Sequence, residues 1–111
     1  MFFASSVKEI DAPELGEWLE NEADGFRIID VREMVEIAQG TIPNAEPMPL
    51  ATLPVRLGEL DREQKTVVIC RSGARSAQAC QFLQQQGYDN VYNLRGGMIG
   101  WAHQSLPIVR P

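Results

Sequence analysis

Seven consecutive residues, Cys70-Arg71-Ser72-Gly73-Ala74-Arg75-Ser76, bring together one thiol, two guanidinium groups, two hydroxyls and a glycine. A nucleophilic cysteine needs a thiolate, a means of holding an anion, and room for the reacting atom. Gly73 lets the backbone adopt φ > 0, so that successive N–H groups can turn inward as an anion-binding nest. Arg71 and Arg75 add positive charge, and Ser72 and Ser76 offer hydroxyl donors and can cap a following helix. Together they would favour Cys70 as a thiolate and hold a further negatively charged atom attached to it. The competing reading is a buried structural cysteine, the commoner fate of a free thiol. A core thiol has no need of two arginines and two serines within six positions. His103, the single histidine, lies by the C-terminal tail and reads as an ordinary surface residue, so a Cys–His pair of the protease type is a poor fit.

Such a loop works only if its flanks position it. Thr66-Val67-Val68-Ile69 is an apolar β-branched run that reads as a buried strand, with Cys70 as its last residue. From about Arg75 the chain reads as a helix through Ser76-Ala77-Gln78-Ala79-Cys80-Gln81-Phe82-Leu83, closed by Gly87. Cys70 therefore faces a helix start, where unpartnered N–H groups and the positive end of the helix dipole favour an anion. Cys80 falls on the side of that helix expected to be buried and reads as structural, with a resolving-cysteine role as the lesser alternative.

The rest of the chain alternates strands and helices. Val7-Lys8-Glu9-Ile10 reads as a short edge strand. A helix follows with Asp11 as N-cap, Pro13 in its first turn and Glu14 completing a capping box; Leu15, Trp18 and Leu19 form its apolar face, Glu17, Glu20 and Glu22 a solvated one, and Asn21 to Gly25 its end. Phe26 to Glu33 is an apolar strand ending in Asp30, Arg32 and Glu33, and charges at the C-terminal end of such a strand lie where sites form in α/β sheets. Met34 to Ala38 reads as a brief helix, Gln39 to Pro49 as a loop, and Met48-Pro49-Leu50 as a short strand. Thr52 to Leu60 resembles a helix with Leu53, Leu57 and Leu60 on one face. Val91 to Leu94 is a strand, Arg95-Gly96-Gly97 a turn, Met98 to Ala102 a short helix carrying Trp101, and Ser105 to Pro111 a surface tail. The expected fold is one α/β domain over residues 1–111, with its core at about 5–104. It has a mainly parallel sheet of about five strands covered by helices on both faces.

Composition narrows the function further. The 111 residues, 44% hydrophobic and 23% charged, suit one globular domain and exclude a disordered or fibrous class. A net charge of −5 argues against nucleic acid as a partner. Two cysteines without Cys-x-x-Cys spacing argue against a disulfide scaffold or a zinc site, so neither metal nor cofactor is expected. The first residues lack a basic segment and an apolar stretch of signal-peptide length, and no run has membrane-spanning length. A soluble, monomeric protein of the reducing cytoplasm is expected, in contact with neither membrane nor nucleic acid.

Cys70-Arg71-Ser72-Gly73-Ala74-Arg75-Ser76 resembles the active-site loop of the rhodanese family of sulfurtransferases. Three further segments match in order. Asp30-Val31-Arg32-Glu33 resembles the family's Asp-x-Arg segment. Gly40-Thr41-Ile42-Pro43-Asn44-Ala45 resembles its Gly-His-Ile-Pro-Gly-Ala segment, with Thr41 for the usual His and Asn44 for the usual Gly. Leu94-Arg95-Gly96-Gly97-Met98-Ile99-Gly100-Trp101 resembles its Gly-Gly-x-x-x-Trp ending. The resemblance implies that the Cys70 thiolate takes the outer sulfur of a donor such as thiosulfate, leaving a persulfide. That sulfur then passes to cyanide in an assay, or to a thiol or sulfur-carrier protein in the cell. The loop from Arg71 to Ser76 would hold substrate and persulfide, with Arg71 drawing in the anionic donor. Arg75 would brace the loop by pairing with Asp30 or Glu33, and Asp30, Arg32 and Glu33 would be structural. Cysteine-dependent phosphatases and arsenate reductases resemble rhodaneses but carry a loop one residue longer, and the tighter loop here suits one added sulfur better than phosphate. A non-enzymatic interaction module of the same family is the other alternative, disfavoured because Cys70 is present with its loop complete.

Overall fold

The computed structural model describes residues 7–21 and 25–111. Glu22, most of the Asn21 to Gly25 segment expected to end the first helix, and the start of the expected core fall outside these residues. Five strands form the frame: β1 (Lys8–Ile10), β2 (Phe26–Asp30), β3 (Ala45–Pro47), β4 (Lys65–Ile69) and β5 (Val91–Leu94). They build one sheet in the order β1-β5-β4-β2-β3, every pair parallel. Among the described residues four α-helices accompany them: α1 (Ala12–Asn21), α2 (Met34–Ile37) and α3 (Ala74–Gln85) lie between strands, and α4 (Gly97–His103) follows β5.

A parallel sheet needs cover on both faces, and the alternation along each strand supplies it. On one face Ile28, Val67, Ile69 and Leu94 pack with Leu15 of α1 and with Met98 and Trp101 of α4. On the other Ile29, Val31, Val68 and Cys70 pack with Ala79, Cys80 and Leu83 of α3 and with Leu53 and Leu60. The central strand β4 is thus buried on both sides and delivers Cys70 to its C-terminal end, on the α3 face. Helix α1 starts as its sequence predicts, Asp11 Oδ1 accepting the Glu14 N–H at 2.9 Å.

Two local expectations are corrected. The third strand is Ala45–Pro47 rather than Met48 to Leu50. Its register pairs Ile28 with Ala45 and Asp30 with Pro47, and the Met48 N–H still reaches the Asp30 carbonyl at 2.8 Å before Pro49 interrupts the ladder. Thr52 to Leu60 is not one α-helix but two 3-10 segments, Leu50–Val55 and Leu57–Glu59. Pro54 sits inside the first, and the Arg56 N–H closes it on the Leu53 carbonyl at 3.1 Å. The C-terminal tail is mostly exposed but tethered: Thr41 and Val109 exchange backbone hydrogen bonds at 2.8 and 2.9 Å, and Trp101 Nε1 donates to the Pro107 carbonyl at 2.7 Å. Among the described residues no helix is long and apolar enough to cross a membrane.

The end of β2 is held by a buried ionic cluster. Arg32 donates to Asp30 through Nε at 3.0 Å and Nη2 at 2.7 Å, and Nη2 also reaches the Gly40 carbonyl at 2.7 Å. The Arg32 N–H and the Thr41 hydroxyl complete the carboxylate's partners at 3.1 and 2.7 Å. Removing one member of such a cluster leaves the other charge buried and unpaired. Asp30→Ala is therefore expected to destabilise the fold by ~3–5 kcal/mol, and Thr41→Val by the ~1–3 kcal/mol of one lost hydrogen bond to a charged group. Urea unfolding checks both; a cost below about 1 kcal/mol for Asp30→Ala would contradict the bracing role.

Candidate active site

Cys70 is 1% exposed, yet its sulfur is not in an apolar setting. The chain leaves β4, turns through Arg71 and Ser72, and enters α3 through Gly73, whose φ of 105° only glycine adopts without strain. This bend aims the start of α3 at the sulfur. The Gly73 N–H donates to Sγ at 3.1 Å and the buried Ser76 hydroxyl lies at 3.2 Å from it. The first turn of α3 carries no acidic residue, so nothing there cancels the positive end of the helix dipole. Burial is the largest single influence on the thiol and opposes ionisation. The Ser76 hydroxyl and the backbone N–H groups of Ser76, Gly73 and Ser72 together outweigh it, leaving the Cys70 thiol below its ordinary pKa. Cys80, fully buried on the same helix, has burial without those donors and is pushed up to about 12.

The loop is fixed from below by α4. The Met98 and Ile99 N–H groups donate to the carbonyls of Cys70 and Arg71 at 2.9 and 3.1 Å. The two chains touch backbone to backbone at Gly97: a Cβ there would stand 2.5 Å from the Arg71 carbonyl oxygen and 2.6 Å from that of Cys70. Gly97 of the Arg95-Gly96-Gly97 turn thus supports the peptide of Cys70, a role the sequence pattern alone does not state.

Of the loop's side chains, Arg71 and Ser72 are exposed, Ala74 is exposed, Arg75 is half-buried and Ser76 is buried. The Arg71 side chain makes no hydrogen bond or ion pair with any described residue. It lines a cleft of about 340 Å³ together with Arg32, Glu36, Met98, Ile99 and Ile108. Cys70 itself is not among the cleft's lining residues; Arg71 is the loop residue that joins the two. Ile108 comes from the tail, which the sequence placed simply on the surface.

Arg75 does not pair with Asp30 or Glu33. It makes a two-pronged salt bridge with Glu36, Nη1 to Oε1 at 2.7 Å and Nη2 to Oε2 at 2.9 Å. Asp30 is already filled by Arg32 and Thr41, and Glu33 is exposed at the start of α2. Glu33 instead closes a capping box with Glu36, its N–H donating to Glu36 Oε1 at 2.9 Å. The hydrogen bonds from Arg75 hold the Glu36 carboxyl down to about 2, so this tie between α2 and α3 persists far into acid. Sequence reasoning also missed Asn93, a buried amide that touches both Ser76 and Gly73. The available signal was a polar residue inside the apolar run Val91-Tyr92-Asn93-Leu94.

The two thiols should separate chemically. With iodoacetamide near neutral pH, Cys70 is expected to be alkylated, with a rate whose pH midpoint lies below that of a free thiol. Cys80 is expected to stay unmodified until the protein unfolds. Peptide mapping after timed quenching measures both; comparable labelling of Cys80 in the folded protein would contradict the assignment of the donors to Cys70.

Comparison with known proteins agrees with this geometry. The family model for the rhodanese-like domain matches residues 11–104. A sulfurtransferase of Allochromatium vinosum is 49% identical over 105 residues, covering 95% of this chain and 97% of that protein. The thiosulfate sulfurtransferase GlpE of Actinobacillus pleuropneumoniae serotype 3 is 35% identical, covering 95% of each. Among solved structures, a rhodanese-related protein from Thermoplasma volcanium superposes with a TM-score of 0.85 at 34% identity, covering 94% of this chain and 99% of that one. With the strand-end cysteine, the helix start facing it and the matched length all in agreement, the chain belongs to the rhodanese-like domain family.

Proposed function

We propose that this protein is a sulfurtransferase that carries a sulfane sulfur on Cys70 as a persulfide. The observation that carries the reading is the set of donors converging on one strand-end sulfur without an acidic neighbour in the loop. In the first half-reaction the Cys70 thiolate attacks the outer sulfur of thiosulfate. The new bond joins Sγ to that sulfur, the S–S bond of the donor breaks, and its electron pair leaves with sulfite. The terminal persulfide sulfur carries the negative charge, and the N–H groups of the loop and of the start of α3 are the donors within reach. In the second half-reaction an acceptor, cyanide in an assay or a thiolate of a small molecule or carrier protein, attacks the terminal sulfur. The Sγ–S bond breaks and the thiolate returns.

Arg71 is assigned to donor capture, because it is exposed, unpaired among the described residues and shared between loop and cleft. Arg75 is assigned to holding the loop, since both prongs of its guanidinium are occupied by Glu36. That occupation also argues against phosphate chemistry, which needs a guanidinium aimed at the transferring group.

Steady-state kinetics with thiosulfate and cyanide test the reading. Cys70→Ser should abolish turnover while Cys80→Ser keeps it. Arg71→Ala should raise the thiosulfate KM about tenfold, the worth of one charge-assisted contact, with a smaller change in kcat. Turnover of an aryl phosphate at a rate comparable to thiosulfate would overturn the assignment in favour of a phosphatase.

A further inference from the structure

Ser76 is fully buried and has one hydroxyl proton, but two acceptors face it. One is Sγ of Cys70 at 3.2 Å; the other is Oδ1 of Asn93. The parallel register pairs Asn93 with Val68, which sets its side chain on the α3 face beside Cys70. The amide cannot be turned around. Its Nδ2 points at the Gly73 carbonyl, 3.2 Å away, and at Oε2 of Glu9, 3.3 Å away. Both of these groups only accept, so the nitrogen must face them and the oxygen must face Ser76.

We propose that Asn93 is a positioning residue that holds the Ser76 hydroxyl proton while Sγ is uncharged and yields it to Sγ when Sγ becomes a thiolate. The proposal rests on Cys70 being the nucleophile and acts wholly through Ser76. With Cys70 as a thiol, the donors run in one direction: S–H to the Ser76 oxygen, and Ser76 O–H to Asn93. With Cys70 as a thiolate, that arrangement would turn an oxygen lone pair toward the charge. The hydroxyl therefore rotates to donate to Sγ, and Asn93 loses its donor. In the persulfide Sγ is again uncharged, its charge having moved to the terminal sulfur, so the hydroxyl proton turns back to Asn93 although Sγ no longer has a proton to donate. When an acceptor attacks the terminal sulfur, the Sγ–S bond breaks, its electron pair stays on Sγ, and the hydroxyl swings back to meet the growing charge. The proton stays on Ser76 throughout. Asn93 thus works against early ionisation, and the Ser76 hydrogen bond is strongest when Sγ leaves.

The other charged or titratable groups around the thiol are accounted for. On α3, Arg75 is paired with Glu36, and Cys80 is held neutral. From β2, Asp30 and Arg32 neutralise each other. Arg71 stands in the loop itself, and Glu9 of β1 accepts from Asn93 and lies 3.6 Å from Arg95.

The test is the pH dependence of Cys70 alkylation by iodoacetamide in the wild type, Asn93→Ala, Ser76→Ala and the double variant. Freeing the Ser76 hydroxyl in Asn93→Ala should lower the midpoint by about one pH unit, the worth of one hydrogen bond to a charge. Ser76→Ala should raise it, and the double variant should match Ser76→Ala. Glu9→Gln controls for the carboxylate that Asn93 also touches and should leave the midpoint in place. Should Asn93→Ala fail to fold, Asn93→Ser, too short to reach Ser76, carries the same expectation. A raised or unmoved midpoint in the Asn93 variant overturns the proposal, as does a shift of equal size without the Ser76 hydroxyl. Alkylation needs no sulfur donor, so either result is independent of whether the protein transfers sulfur.

Discussion

A sulfur atom that is almost completely covered can carry charge only if the protein supplies the hydrogen bonds that water would have given. At Cys70 this constraint organises the molecule. Burial alone would make the thiol inert, as it does for Cys80 on α3. The Gly73 N–H, the Ser76 hydroxyl and the start of α3 reverse the balance. They do so only while a short loop keeps the helix start aimed at the end of a strand.

The surrounding structure explains how that aim is kept. The start of α4 donates to the carbonyls of Cys70 and Arg71 and approaches them so closely at Gly97 that no side chain fits. Arg75 pins the first turn of α3 to Glu36 of α2. The Asp30–Arg32–Thr41 cluster secures the end of the neighbouring strand and, through the Gly40 carbonyl, the segment that pairs with the tail. Each of these ties is backbone-rigid or two-pronged, as a site that must hold geometry within fractions of an ångström requires. The Arg71 side chain, by contrast, is left unpaired among the described residues, where the loop borders the cleft.

The features readable in the sequence were those written in local periodicity. The β4–loop–α3 unit and the alternation that predicts a parallel sheet both follow from runs such as Thr66 to Ile69 and from Gly73. The features that were not readable depend on which residues meet across the fold. Arg75 finds Glu36 rather than Glu33 because Glu33 is committed to the start of α2 and Asp30 to Arg32. Thr41 stands where the family pattern has His and serves through its hydroxyl, which only the position of the Asp30 carboxylate explains. The helix-like leucine spacing around Pro54 folds as two 3-10 segments, a break that apolar periodicity does not reveal. Asn93 was hidden in a strand, where a single amide carries no periodic signal.

The central claim is that this donor set exists to hold sulfur on Cys70. Its most direct measurement is the intact mass of the protein after incubation with thiosulfate. The account predicts a gain of one sulfur atom, lost on adding cyanide, absent in Cys70→Ser and retained in Cys80→Ser. An unchanged mass with thiosulfate and with other sulfane donors would contradict it, and would leave the domain a binding module built on a sulfurtransferase frame.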